Sequence, residues 1–114
     1  MFFTVSICDN YLFQRLYRSG KSEVTPWVAV YFRKNRLNVN RLGITASKKI
    51  GGAVQRNRAR RIIKEAYRLT EPRLNKGFDI VIVARKKAVY GKMWDIKKSL
   101  IYAFERSTLL SKQG

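Results

Sequence analysis

Phe78-Asp79-Ile80-Val81-Ile82-Val83-Ala84 is apolar at every position but one. A short run this apolar, and this rich in β-branched residues, predicts a central strand buried on both faces. Gly77 precedes it, and Arg85-Lys86-Lys87 puts three cations at its end. Upstream, Ala59, Ile62, Ile63, Ala66 and Leu69 recur at three- and four-residue spacing. They are the core stripe of a helix over 53–69, about 25 Å long at 1.5 Å per residue, with Pro72 just beyond it. Downstream of Gly91, Met93, Ile96, Leu100, Ala103 and Phe104 mark a last helix over 93–110.

The first half of the chain supplies the rest of a sheet. Over 27–33, Val28, Val30 and Phe32 alternate with Trp27, Ala29, Tyr31 and Arg33. The first set should meet the helices, and the second mixes aromatic with basic groups. A polar turn leads to a second strand over 41–47. There Leu42, Ile44 and Ala46 point to the core, and Gly43, Thr45 and Ser47 leave a small, polar face. Residues 9–19 read as a short helix with Asp9 or Ser6 as a cap and Gly20 at its end. Its Leu12 and Leu16 suit the core; Phe13 and Tyr17, on an adjacent face, read alone as ordinary packing residues. The expected order is α-β-β-α-β-α, with room for one more short strand near 22–24. This is an α+β sandwich of a three- or four-stranded sheet with its helices largely on one face. At 114 residues it is most simply one domain, 1–114, with a frayed tail at 111–114.

Charge points to the partner. The net charge is +18, and no acid lies between Glu23 and Glu65, where eleven Lys or Arg occur. Arg56, Arg60, Lys64 and Arg68 recur every four residues, a like-charge spacing that destabilises a helix unless something neutralises it. A solvated basic face would scatter its charges, so this density indicates a polyanion. A membrane surface is the weaker choice, because no apolar run nears the ~20 residues of a spanning helix. Residues 1–8 are apolar but short and lack a basic start, so they are not read as a signal peptide. Cys8, the single cysteine, fits a reducing cytoplasm and a small buried role. Without histidine and with seven dispersed acids, the chain shows no catalytic constellation and no metal site.

Ser47-Lys48-Lys49, Gly51, Ala53 and then Arg56-Asn57-Arg58, continued by Arg60-Arg61 and Glu65, resemble the signature of the bacterial ribonuclease P protein subunit. The resemblance extends to Phe13-Gln14-Arg15-Leu16-Tyr17, Gly20, Tyr31, Arg41-Leu42-Gly43-Ile44 and Ile80–Lys86, nearly the whole chain. Gly52 stands where the family often has Asn, and Lys87 where proline is common; neither touches the arginines. The resemblance implies a protein that supports a catalytic RNA in the endonucleolytic removal of the 5′ leader of precursor tRNA. It implies that Arg56, Asn57, Arg58, Arg60 and Arg61 contact the catalytic RNA, with Lys64 and Arg68 continuing their ridge. It places the single-stranded leader in a cleft at Phe13, Tyr17, Tyr31, Lys48, Lys49, Arg85 and Lys86, which revises the packing role of the first two. It also implies a left-handed βαβ crossover, against the usual right-handed rule.

The expected partners are therefore the catalytic RNA and precursor tRNA, with no membrane and no obligate protein partner. Mg²⁺ would serve the ribonucleoprotein and be held mainly by RNA, since the few carboxylates offer no cage. A structural RNA-binding protein, such as a small ribosomal protein, suits the charge and size equally well. The aromatic strand face and the extent of the motif argue against it. A protein-only nuclease is disfavoured by the missing histidine and carboxylate cluster.

Overall fold

The computed structural model describes residues 3–7, 10–107 and 109. The expectations for Cys8, the Asp9 cap and the 111–114 tail fall outside them. Five strands form one mixed sheet, in the order β1-β4-β5-β3-β2. They are β1 (Thr4–Ser6), β2 (Lys21–Val24), β3 (Val28–Lys34), β4 (Asn40–Thr45) and β5 (Phe78–Ala84). The helices are α1 (Asn10–Ser19), α2 (Ala53–Thr70) and α3 (Met93–Glu105). β5 is central, antiparallel to β3 and parallel to β4, so β4-α2-β5 is a parallel crossover unit.

The α+β class and the element order stand, with two additions. The short strand near 22–24 exists as β2. β1 was not foreseen; it pairs parallel with β4 at Thr4 opposite Asn40. Ser6 lies in that strand and so does not cap α1. α3 ends at Glu105, short of position 110, and β4 ends at Thr45, after which Lys48–Ile50 form a 3-10 turn.

Two of the three described helices, α2 and α3, share one face of the sheet, and α1 lies on the other. Val28, Val30, Phe32, Ile80 and Ile82 pack with Ile63, Ala66, Leu100 and Phe104 of α2 and α3 in the main core. The opposite face carries a second cluster, in which Leu16 of α1 meets Ile7 and Val81, with Leu12, Phe13, Tyr31 and Val83 around it. β5 is thus covered on both sides, as its unbroken apolar run requires. The amide of Gly20 donates to Leu16 O at 2.9 Å and ends α1. A Cβ on Gly20 would lie 2.6 Å from that same oxygen.

The core stripe of α2 is Ala59, Ile63, Ala66, Tyr67 and Thr70, with Ile62 half-buried. Leu69 is 40% exposed, because the helical period carries it off the buried arc. Tyr67 is fully buried, and its hydroxyl lies 2.9 Å from Thr4 Oγ1, tying β1 to α2. Burial pushes its pKa up to about 12, so the phenol stays protonated and neutral.

Asp79, the one polar residue of the central strand, is explained by its partners. Arg41 donates through Nε and Nη2 to Oδ1 and Oδ2 at 2.7 and 2.8 Å, and Asn35 Nδ2 donates to Oδ1 at 3.0 Å. Asp79→Ala removes the carboxylate that the Arg41 fork and Asn35 share on a part-buried sheet face. It should lower unfolding free energy by about 3 kcal/mol, seen as a lower urea midpoint at unchanged slope.

Candidate nucleic-acid interface

Tyr31, Val81 and Gly43 stand side by side across β3, β5 and β4. Gly43 gives this row its shape, since a Cβ there would lie 2.2 Å from Cε1 of Phe13. The missing side chain lets the Phe13 ring of α1 rest on the sheet backbone. Tyr17, from the next turn of α1, meets Tyr31 edge-on with ring centres 5.0 Å apart. The three aromatic residues expected to act together are therefore gathered where α1 crosses the sheet. Phe13 and Tyr31 are half-buried and Tyr17 is exposed, which leaves ring surface accessible.

Four expected cations gather at one end of that sheet. β4 and β5 are parallel, with Thr45 opposite Val83, so their C-terminal ends coincide. Lys48 and Lys49 follow β4, Arg85 and Lys86 follow β5, and all four are exposed. They lie about four residues, or ~14 Å, beyond the tyrosine row. Arg85 is anchored by a 2.8 Å hydrogen bond from Nη1 to Thr25 O. Trp27 is not part of the open aromatic face: it precedes β3 and packs half-buried against the main core.

The expected RNA-facing residues of α2 divide by position on the helix. Asn57, Arg61, Lys64 and Arg68 are exposed, whereas Arg56, Arg58 and Arg60 are half-buried. The every-fourth-residue ridge winds, because four residues exceed one 3.6-residue turn. Arg56 begins near the core side, where its Nε is buried, and Arg68 ends facing outward. Arg58 is tied to the fold: Nη1 donates to Val89 O at 2.7 Å and Nη2 to Gly91 O at 3.0 Å. Arg60 Nη2 donates to Asn57 Oδ1 at 2.5 Å. Arg68 forks onto Glu65, at 3.1 Å from Nε and 2.5 Å from Nη2, which lowers the Glu65 pKa and raises that of Arg68. Part of the ridge is thus neutralised internally, by an acid three residues away.

A groove of about 320 Å³ joins the two sets of residues. It is lined by Phe13, Gly43 and Ile7 on the sheet side and by Arg60, Arg61 and Lys64 on α2. Nothing in the spacing foretells this junction, which depends on β4 lying between α1 and α2. A second, larger pocket of about 570 Å³ lies beside α1, lined by Arg15, Arg33, Lys34, Arg36, Arg41 and Asp79 among others. Its arginines come from α1, β3, the β3–β4 turn and β4, and only the alternation in β3 placed one of them, Arg33, on this face. Among the described residues, no three His, Cys, Asp or Glu side chains come together as metal ligands.

Comparison with known proteins agrees along the length of the chain. A family model described as Ribonuclease P matches residues 4–108. The Ribonuclease P protein component of Natranaerobius thermophilus is 35% identical over 108 residues, covering 95% of this chain and 94% of the relative. That of Clostridium botulinum (strain Langeland) is 42% identical over 109 residues, covering 95% and 93%. The 2.0 Å structure of the Staphylococcus aureus RNase P protein superposes with a TM-score of 0.83 at 32% identity, covering 93% of this chain and 97% of that one.

Proposed function

The chain belongs to the ribonuclease P protein family, and from that premise we propose that it helps an RNA catalyst remove the 5′ leader of precursor tRNA. The observation that carries this reading is the shared groove. Its Phe13 wall belongs to the leader surface and its Arg60, Arg61 and Lys64 wall to the catalytic-RNA surface, so the groove can bring the two RNAs together. A leader has no fixed sequence, so its site should hold any base by stacking and any backbone by charge. Stacking contributes about 1–3 kcal/mol per base and tolerates every base.

In this reading Phe13, Tyr17 and Tyr31 take leader bases, and Lys48, Lys49, Arg85 and Lys86 take the phosphates. Arg56, Asn57, Arg60, Arg61 and Lys64 face the catalytic RNA. Arg58 is a positioning residue that fixes α2 against the turn between β5 and α3, and Arg68 adds charge already shared with Glu65. The chemistry is assigned to the RNA partner, and this chain supplies binding, orientation and neutralisation. Mg²⁺ is assigned to RNA ligands, since the described carboxylates are dispersed. We place the reaction in the cytoplasm; no helix among the described residues is long and apolar enough to cross a membrane.

Neutralising phosphates lessens the repulsion between two RNAs, a task otherwise left to cations. At low Mg²⁺, the protein should restore cleavage of precursor tRNA by its cognate catalytic RNA at the mature 5′ end, and should cleave nothing alone. Binding to the RNA with no change in rate or substrate affinity would instead make the chain a structural RNA-binding protein.

A further inference from the structure

The chain has two tryptophans; Trp27 lines a groove outside the α1–sheet cleft, and Trp94 lies one turn along α3 from Lys98 of its wall. A groove of about 410 Å³ runs between the β2–β3 connection and α3, lined by Val24, Pro26, Trp27, Lys98, Ser99 and Tyr102 among others. Trp94, Lys98 and Tyr102 recur every four residues, so they form one stripe of α3. Trp94 is 61% and Tyr102 52% exposed, a large aromatic area to leave in water.

Each ring carries a cation. Lys87 Nζ lies 4.7 Å from the Trp27 ring centre, Lys97 Nζ 5.7 Å from that of Trp94, and the Arg106 guanidinium 5.5 Å from that of Tyr102. Two of the nearby acids are engaged. Asp95 Oδ2 accepts from the Lys92 amide at 3.1 Å and closes the start of α3, and Glu23 accepts from Arg106 Nε at 3.1 Å. With Glu105 counted as the third acid, Lys87, Lys92, Lys97, Lys98 and Arg106 still leave the surface positive.

Stacking faces with cations beside them fit single-stranded nucleic acid. A second copy of the chain would bring another +18 and be repelled. An acidic peptide would use the cations and leave the rings idle. The groove also continues the cleft. The Arg85 amide donates to Trp27 O at 3.0 Å, so the cations at the end of β5 stand at the mouth of the groove.

We infer that this groove is a second stacking surface, which takes leader nucleotides lying beyond those in the α1–sheet cleft. The inference rests on the leader reading proposed above. The strand passes Arg85 and Lys86, rounds the end of the sheet at Trp27, and lays its distal bases along Tyr102 and Trp94.

The test uses the reconstituted holoenzyme and precursor tRNAs whose leaders either end within the cleft or extend well past it. Tyr102→Ala should weaken long-leader binding by about fivefold or more while sparing the short leader. Tyr102→Phe, which keeps the ring, should restore it. Tyr31→Ala should weaken both. Wild-type affinity for long leaders in the Tyr102→Ala, Trp94→Ala double variant, with Tyr31→Ala still defective, would overturn the groove and leave the cleft standing. No dependence on leader length in the wild type, with Tyr31→Ala silent, would overturn the leader reading itself. Tryptophan emission gives a second readout. A short oligoribonucleotide should quench it, and an abasic strand of equal length should not; equal quenching would mean charge without stacking and would sink the proposal.

Discussion

Replacing Arg56, Arg60 and Arg61 together by alanine is expected to weaken binding of the catalytic RNA by on the order of a hundredfold or more at low salt. Hydrogen bonds to charged groups contribute about 1.5–3 kcal/mol each, and three do not simply add. Salt dependence gives the sharper readout. Each lost phosphate contact reduces the slope of log affinity against log salt by about 0.7–0.9, so the triple variant should lose about 2–3 from its slope. The fold should tolerate these changes, because the buried side of α2 is carried by Ala59, Ile63, Ala66 and Tyr67.

Arg58 is the built-in contrast. Its guanidinium fork bonds two carbonyls, Val89 O and Gly91 O. Arg58→Ala should therefore lower unfolding free energy by roughly 2 kcal/mol. Arg58→Lys should not rescue it, because an ammonium cannot bridge two acceptors in a fixed fork. A triple variant with an unchanged salt slope would remove these arginines from the RNA interface. An Arg58→Ala chain as stable as wild type would return Arg58 to it.

The elements legible in the sequence are those whose signals are local. β5 announces itself by an unbroken apolar run, and α2 by its helical period. β1 carries no such signal. It is three residues long, its Val5 and Ser6 are exposed, and its partner β4 begins at Asn40, far along the chain. Alternation in β3 and β4 correctly divides their residues between two faces, but it does not say which helix covers which face. That choice depends on the crossover from β4 to β5, which no local pattern encodes.

The site follows the same rule. Lys48, Lys49, Arg85 and Lys86 were expected to act together, and the parallel pairing of β4 with β5 gives the physical reason they can. The arginines of α2 read as a uniform ridge in sequence. The turn-by-turn drift of a 3.6-residue helix makes them unequal, with Arg56 half-buried, Arg58 bonded to backbone and Arg61 free to face outward. In sequence, Gly43 reads as part of a small strand face and of the Arg41-Leu42-Gly43-Ile44 stretch. Its task of seating Phe13 involves a residue thirty positions earlier, and it becomes visible only when the ring lies on it.

Gly43 and Phe13 therefore give the decisive variants for the cleft. Phe13→Ala removes a stacking face and should weaken long-leader precursor binding by about fivefold to a hundredfold, with mature tRNA unaffected. Packing and stacking are separated by Phe13→Leu, which keeps an apolar side chain of similar reach without a π face. Stability should hold in that variant while leader affinity still falls. Gly43→Val leaves Phe13 chemically intact but places a Cβ 2.2 Å from its Cε1, so the ring must leave its seat. It should reproduce the Phe13→Ala defect on leader affinity from the opposite wall of the cleft. Combined with Phe13→Ala, it should add little, because the ring it displaces is already gone. Equal losses for precursor and mature tRNA in these variants would assign Phe13 to the packing of α1 and take the leader out of this cleft.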